Sequence, residues 1–354
     1  MRTHKSRLSW LSGLIAVVVA FQATVPNVAT AATDRPEMVT AEAEKAIENG
    51  LAYLARTQAR DGSWRSRTGY GSYPTAMTSL AGMALLMGGN TPVEGKYAKN
   101  VRRAVDYLLS CANPNGLIAR MGEEQRPMYG HGFGTMFLGE VYGMERSPTR
   151  QARIRKVLVK AIQLTARSQS AAGGWLYTPD SGGDEGSVTI TQIQGLRACR
   201  NAGIKVPKTV IQRAAKYIEN SANADGGIRY RASMGGGSRP PITAAAVATL
   251  YNAGEYENPV ALKSLAYLKK YLKGQKGRSY GGHQYYMMLY AGQGMYLSSA
   301  ENWKEYFPGT RDWLIKSQAG DGSWQGDGVG ETYGTAVALM TMQLPYAHIP
   351  LLQR

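Results

Sequence analysis

The apolar positions of this 354-residue chain fall into two alternating patterns. In the first, apolar residues recur every three or four positions with charge between them: Ala43, Ile47, Leu51 and Leu54; Val101, Val105 and Leu108; Ala261, Leu265, Leu268 and Leu272. That period puts one apolar stripe on a helix and predicts amphipathic helices with one face in water. In the second pattern charge is nearly absent and small residues abound, over residues 75–86, 243–251 and 335–342. A helix apolar on all sides is buried, and small side chains let its neighbours come close. Most of these segments end at glycine, as at Gly88-Gly89, Gly203 and Gly254, which suits a helix stop. The alternation predicts helix pairs, one outer and one inner.

Between the two helices of a pair stands a recurring connector. Residues 53–64 read Tyr53-Leu54, then Gln58, then Asp61-Gly62-Ser63-Trp64; residues 313–324 read Trp313-Leu314, then Gln318, then Asp321-Gly322-Ser323-Trp324. A third copy keeps Gln169, Gly173 and Trp175 at the same spacing. Glycine after a helix takes positive φ, a Gln at the helix end bonds the turn, and the indole folds back to supply apolar area that a short loop lacks. Degenerate copies run from Asn113 to Leu117, from Asn223 to Ile228 and from Lys276 to Tyr280. The markers Trp64, Leu117, Trp175, Ile228, Tyr280 and Trp324 are separated by 53, 58, 53, 52 and 44 residues. Such spacing predicts six helix-pair repeats, over about residues 40–90, 97–145, 152–204, 208–255, 260–298 and 303–345.

Residues 1–31 carry Arg2, Lys5 and Arg7, an apolar run from Leu11 to Phe21, and Ala29-Thr30-Ala31, the form of a secretory leader cut after Ala31. Residues 32–354 are then expected as one exported domain, periplasmic or extracellular, with no membrane-spanning segment left. Without those three basic residues, the remainder of the 41 Lys and Arg stand against 25 Asp and Glu, about +13. The excess lies on the outer-helix segments, at Arg150, Arg153, Arg155, Lys156 and Lys160 and at Lys263, Lys269, Lys270 and Lys273. A solvated helix face accounts for it; attraction to anionic envelope polymers or lipid headgroups is the alternative. No nucleic-acid motif accompanies the charge. Cys111 and Cys199 fall at different heights on their helices, so two free buried thiols are expected rather than a bridge.

The connector resembles the Gln-Trp repeat of squalene–hopene cyclases, oxidosqualene cyclases and protein prenyltransferase β subunits, at the level of architecture over residues 40–345. The resemblance implies an all-α fold, an α/α toroid or (α/α)6 barrel with inner and outer helix rings. It does not carry the chemistry over. Class II cyclases protonate with an Asp-x-Asp-Asp run, which this chain lacks. The zinc set of the prenyltransferases, an Asp, a Cys and a His, has no counterpart, and the Cys-Gly-Glu-Gln run of thioester toroids is missing too. No metal and no cofactor is expected.

In a toroid the inner helices all start at one pole, so the residues just ahead of them are candidates for a site. These are Tyr73; Tyr129 with His131; Asp184 with Glu185; Arg239; His283 with Tyr285; and Glu331 with Tyr333. His131, Asp184, Glu185, His283 and Glu331 are the acid–base candidates, and Tyr73, Tyr129, Arg239, Tyr285 and Tyr333 the binding candidates. In a closed ring His283 and Glu331 occupy adjacent entrances and share a substrate or proton, with Arg239 flanking His283 to hold an anion. Each acid also has a helix-capping role open to it. Three functions follow: a cavity for an apolar polyprenyl or terpenoid-like molecule, a non-catalytic binding or scaffold toroid of the cell envelope, and a polysaccharide-acting α/α barrel.

Overall fold

A computed structural model describes residues 35–66, 71–274 and 283–353. Twelve α-helices appear among the described residues: α1 Ala41–Thr57, α2 Pro74–Met87, α3 Ala98–Ser110, α4 Pro127–Tyr142, α5 Pro148–Arg167, α6 Gly186–Asn201, α7 Lys208–Ser221, α8 Pro240–Ala253, α9 Pro259–Gly274, α10 Gln284–Ser298, α11 Ala300–Ser317 and α12 Glu331–Met342. No strand accompanies them there, only isolated bridges in the connectors. The described residues from Pro36 onward form one compact unit. The leader expected over residues 1–31 and the fifth connector, at 276–280, lie outside the described residues.

The even-numbered helices are the inner ring and the odd-numbered ones the outer. Each inner helix packs on the next, and α12 returns to pack on α2, so the ring closes into an α/α toroid. All fourteen residues of α2 are buried, whereas α3 buries only its stripe of Val101, Ala104, Val105, Tyr107, Leu108 and Leu109. Close approach within the inner ring rests on missing side chains. A Cβ on Gly132 of α4 would stand 2.3 Å from the Thr191 hydroxyl of α6, and one on Gly195 of α6 would stand 3.0 Å from the Gly132 carbonyl. Proline at the first turn of α2, α4, α5 and α8 presets φ where no helical N–H bond is lost.

The connectors join neighbouring repeats. The Gln58 amide donates to the Gly62 carbonyl at 2.9 Å and to Asn100 of α3 at 3.0 Å; Gln169 donates to Gly173 at 2.8 Å and to Val210 of α7 at 2.9 Å. Gln318 donates to Gly322 at 3.0 Å and to Ala46 of α1 at 2.9 Å, which ties the last repeat to the first. The indole N–H groups of Trp64, Trp175 and Trp324 donate to Leu54, Thr165 and Leu314, carbonyls of the helix each connector leaves. All three indoles are buried.

At the far pole the chain end closes the ring. After α12 come two short 3-10 turns, Leu344–Tyr346 and Pro350–Leu352. Gln343 donates to Ala84 at the end of α2, the His348 ring bonds Met87, and Glu140 of α4 accepts the main-chain N–H of Leu351. Cys111 and Cys199 are free and buried. None of the described helices is long and apolar enough to cross a membrane.

Candidate functional site

The inner-helix starts surround a cavity of about 680 Å³. Its lining grades from polar to apolar along the helices. Arg126, Arg239 and His283, each immediately ahead of an inner helix, stand at the mouth with Asp327 of the last connector. Tyr129, Tyr286 and Tyr333 follow, each in the first turn of its helix. Leu80, Phe133, Leu289 and Tyr290 are the sixth or seventh residues of their helices, about 10 Å below the residues at the mouth at 1.5 Å per residue. Below them Gln194 of α6 donates to Gln293 of α10 at 2.7 Å, both buried. With the far pole closed by the chain end, the cavity is a pit with one mouth.

Glu185 is the polar hub of the wall. It caps α6, accepting the main-chain N–H groups of Ser187 at 2.8 Å and Val188 at 2.7 Å and the Ser187 hydroxyl at 2.7 Å. The Tyr129 hydroxyl reaches it at 3.4 Å, and the Tyr230 hydroxyl also bonds it. Tyr230 in turn shares a 2.6 Å hydroxyl contact with Tyr177. The Arg126 guanidinium lies 4.3 Å over the Tyr177 ring and the Arg239 guanidinium 5.0 Å over the Tyr230 ring, cation–π pairs that hold two positive charges at the mouth. Burial pushes the Glu185 carboxyl up against its many donors, and burial followed by the Glu185 charge pushes the Tyr129 phenol well up.

On the opposite wall Asp327 has left-handed backbone, φ 39°. Its two oxygens accept the N–H groups of Gln284 at 2.8 Å and Tyr286 at 3.0 Å, so a side chain of the sixth connector caps the fifth inner helix. Burial raises its pKa, while those main-chain donors and the nearby His283 oppose the rise.

Of the candidates named from sequence, Tyr73, Tyr129, Arg239, His283 and Tyr333 line the pit. Glu185 lies buried behind Tyr129 and Ser187. The others are elsewhere. His131 is fully enclosed: its Nδ1 accepts the Ile118 N–H at 3.1 Å and its Nε2 meets the Thr165 hydroxyl at 3.0 Å. The same place in the other connectors is a threonine hydroxyl, Thr78 for Trp64, Thr189 for Trp175, Thr243 for Ile228 and Thr335 for Trp324. His131 therefore does a connector threonine's work, and Ile118 rather than Leu117 is the second repeat's counterpart of tryptophan. Asp184 is buried beneath the connector and accepts the Ala232 N–H at 3.3 Å. Glu331 opens α12 and meets Gln325 at 3.4 Å, outside the pit lining; Asp327 takes the position beside His283 that was expected for Glu331. Tyr285 turns its ring edge to Trp313, centroids 5.9 Å apart, and its neighbour Tyr286 faces the pit instead.

Sequence reasoning missed Arg126, Tyr230, Phe133 and Asp327. Arg126 precedes the first-turn Pro127 just as Arg239 precedes Pro240, a signal present in the chain; Asp327 carried none, since its reach depends on a loop conformation. Among the described residues no three His, Cys, Asp or Glu side chains converge as metal ligands would.

No protein-family model matches the chain, and no curated protein matches it. Solved structures do. The type II terpene cyclase MstE from Scytonema superposes with a TM-score of 0.57 at 14% identity, covering 85% of this chain and 97% of that one. The GH76A α-1,6-mannanase from Salegentibacter gives a TM-score of 0.61 at 9% identity, covering 86% and 99%. Cellobiose 2-epimerase from Bacillus thermoamylovorans gives 0.57 at 10%, covering 84% and 98%. At these identities the likeness shows the fold, an α/α toroid. One MstE variant is in complex with geranylgeranyl dihydroxybenzoate, and a GH76A variant with α-1,6-mannotriose.

Proposed function

We propose that the pit takes up an elongated apolar molecule of the polyprenyl or terpenoid kind, with its polar end at the mouth beside Arg126 and Arg239. The observation that carries the reading is the grading of the lining, with charge at the helix starts and hydrocarbon and aromatic rings at the base. The volume lies within the range of about 300–1,000 Å³ usual for small-molecule sites. Burial of an isoprenoid tail there contributes roughly 25 cal/mol per Å² of apolar surface. The sugar reading has less support: glycoside hydrolysis needs two carboxylates flanking the bond, and Asp327 is the one carboxylate among the described lining residues, with both oxygens on main-chain donors. The MstE complex is consistent with a prenyl chain fitting such a toroid. We place the activity outside the cytoplasm on the leader signature of residues 1–31, which N-terminal sequencing of the secreted protein checks.

Equilibrium binding of geranylgeraniol, geranylgeranyl diphosphate and α-1,6-mannotriose tests the reading. Both isoprenoids should bind at micromolar concentration. Leu289→Trp, which fills the base, should weaken both at least tenfold, and Arg239→Gln should weaken the diphosphate more than the alcohol. Binding of mannotriose without either isoprenoid overturns it.

A further inference from the structure

The basic excess of the chain is confined to one side of the ring. Four consecutive outer helices, α3, α5, α7 and α9, carry 16 Lys and Arg against two acidic residues, Asp106 and Glu219. The remaining two, α1 and α11, carry five against six. The extreme is α5, with six basic residues and no acid along twenty positions. Arg150 is accounted for by Asp106 and Glu145. The other five, Arg153, Arg155, Lys156, Lys160 and Arg167, are exposed and outside every ion pair among the described residues; Lys160 and Arg167 touch only main-chain carbonyls of the preceding connector.

Four of them fall on one stripe. At 100° per residue Arg153, Lys156, Lys160 and Arg167 lie within about 60° of arc and span about 21 Å of axis. Like charges so placed repel each other, and no carboxylate among the described residues pairs with them, while the apolar face of α5 is used on the core by Ile154, Leu158, Ala161 and Ile162. The relief this surface offers is a partner carrying negative charge at repeated intervals.

We propose that α5 and its neighbours α3 and α7 form a docking belt for a flexible linear polyanion bearing phosphate or carboxylate groups. The outer ring is convex, so a flat bilayer meets it along one or two helices, while a flexible chain can follow it from helix to helix. The four described large apolar residues that stand exposed, Val93, Met121, Met234 and Leu262, are all off α5, so the helix has no anchor for a membrane interface. The proposal does not depend on what fills the pit.

The test is binding to inorganic polyphosphate and to polyglutamate as a function of salt. Release of counterions makes log K fall linearly with log salt, with a slope of about −0.7 per neutralised charge for a single chain. Arg153→Gln, Lys156→Gln and Lys160→Gln together should reduce that slope by about two and abolish binding at physiological salt. Lys45→Gln, Lys304→Gln and Lys316→Gln on the other side lower the net charge equally and should leave the slope unchanged. Equal losses in the two triple variants would show a response to net charge alone and overturn the belt. Tighter binding to vesicles of 30% anionic phospholipid, or to duplex DNA, than to either flexible polymer would overturn the choice of partner.

Discussion

Glu140 shows how far the environment of one residue departs from what its neighbours in sequence suggest. One oxygen accepts the Leu351 N–H, the other has no hydrogen-bond partner, and Cys199 lies close enough to feel its charge. Burial pushes the carboxyl up to about 7, and the Cys199 thiol, buried beside it, up to about 12. A carboxyl raised from an ordinary 4.5 is protonated in the folded protein where the unfolded chain has lost the proton, so its contribution falls as pH rises from 4.5 to 7. The difference corresponds to about 3 kcal/mol. Glu124, buried with one oxygen on the Thr75 N–H and the other bare, is pushed to about 7 and acts with the same sign. His131 acts oppositely: burial lowers it to about 4, so its contribution is whole above 6.5 and lost as pH falls through 4. The opposed terms flatten the profile of the parent, and a single variant separates them. Glu140→Gln should be more stable than the parent by about 3 kcal/mol above pH 7, with the gain gone below pH 4.5; chemical unfolding at four pH values measures it, and a pH-independent difference contradicts it. None of this was legible beforehand. Glu140 is one acid in an apolar helix, and the group that buries it arrives more than two hundred residues later in the chain.

At the scale of the element the connector was the most legible part of the chain, because its chemistry is local. The Gln, Gly and Trp spacing announces a helix end, a left-handed turn and a returning indole, and each partner except one lies in the same helix pair, the indole's ten residues back and the threonine's eleven to fourteen ahead. The exception is the next outer helix, against which the turn glycine is pressed. Gly322 has φ 87°, and a Cβ there would stand 2.6 Å from the Asn49 carbonyl of α1. Gly203, at φ 77°, would place its Cβ in open space. Gly203→Ala should therefore cost only the left-handed penalty, about 1–2 kcal/mol, and Gly322→Ala that penalty plus displacement of α1, at least 1 kcal/mol more. Urea unfolding of the two variants decides it; equal losses would mean that α1 yields freely. The frame of the second connector was the part read wrongly. Asn113 N–H bonds Leu117 as Ala59 N–H bonds Ser63, so the indole position passes to Ile118. The turn glycine carries the frame, since Ile118 follows Gly116 as Trp64 follows Gly62, but without an aromatic the position did not stand out. The site was legible only to the resolution of a helix turn: the helix starts were right, but Tyr285 and Tyr286 differ by the 100° that sends one ring to Trp313 and the other to the pit.

For the whole molecule the decisive fact is closure, which helix pairing by itself leaves undetermined, since an open solenoid has the same local grammar. Here the connector of the last repeat takes its acceptors from the first outer helix, with Gln318 on Ala46 and Gly322 against Asn49, as Gln58 takes Asn100 and Gln169 takes Val210. The first and last inner helices also meet, α12 on α2, and the Gln343 amide donates to Ala84 across that seam. An open array loses an end repeat at the cost of one interface, leaving the others folded. A ring loses two interfaces and bares two apolar inner-helix faces, together with the buried Gln194–Gln293 pair beneath the pit. The parent should unfold in one transition with a helix-dominated circular dichroism spectrum. A chain ending at Ser298, without α11, α12 and the closing turns, should lose most of its helical signal and its cooperative melt. A truncated chain that keeps ellipticity in proportion to its remaining helices, and still melts sharply, would mean that the repeats stand alone and that closure contributes little to stability.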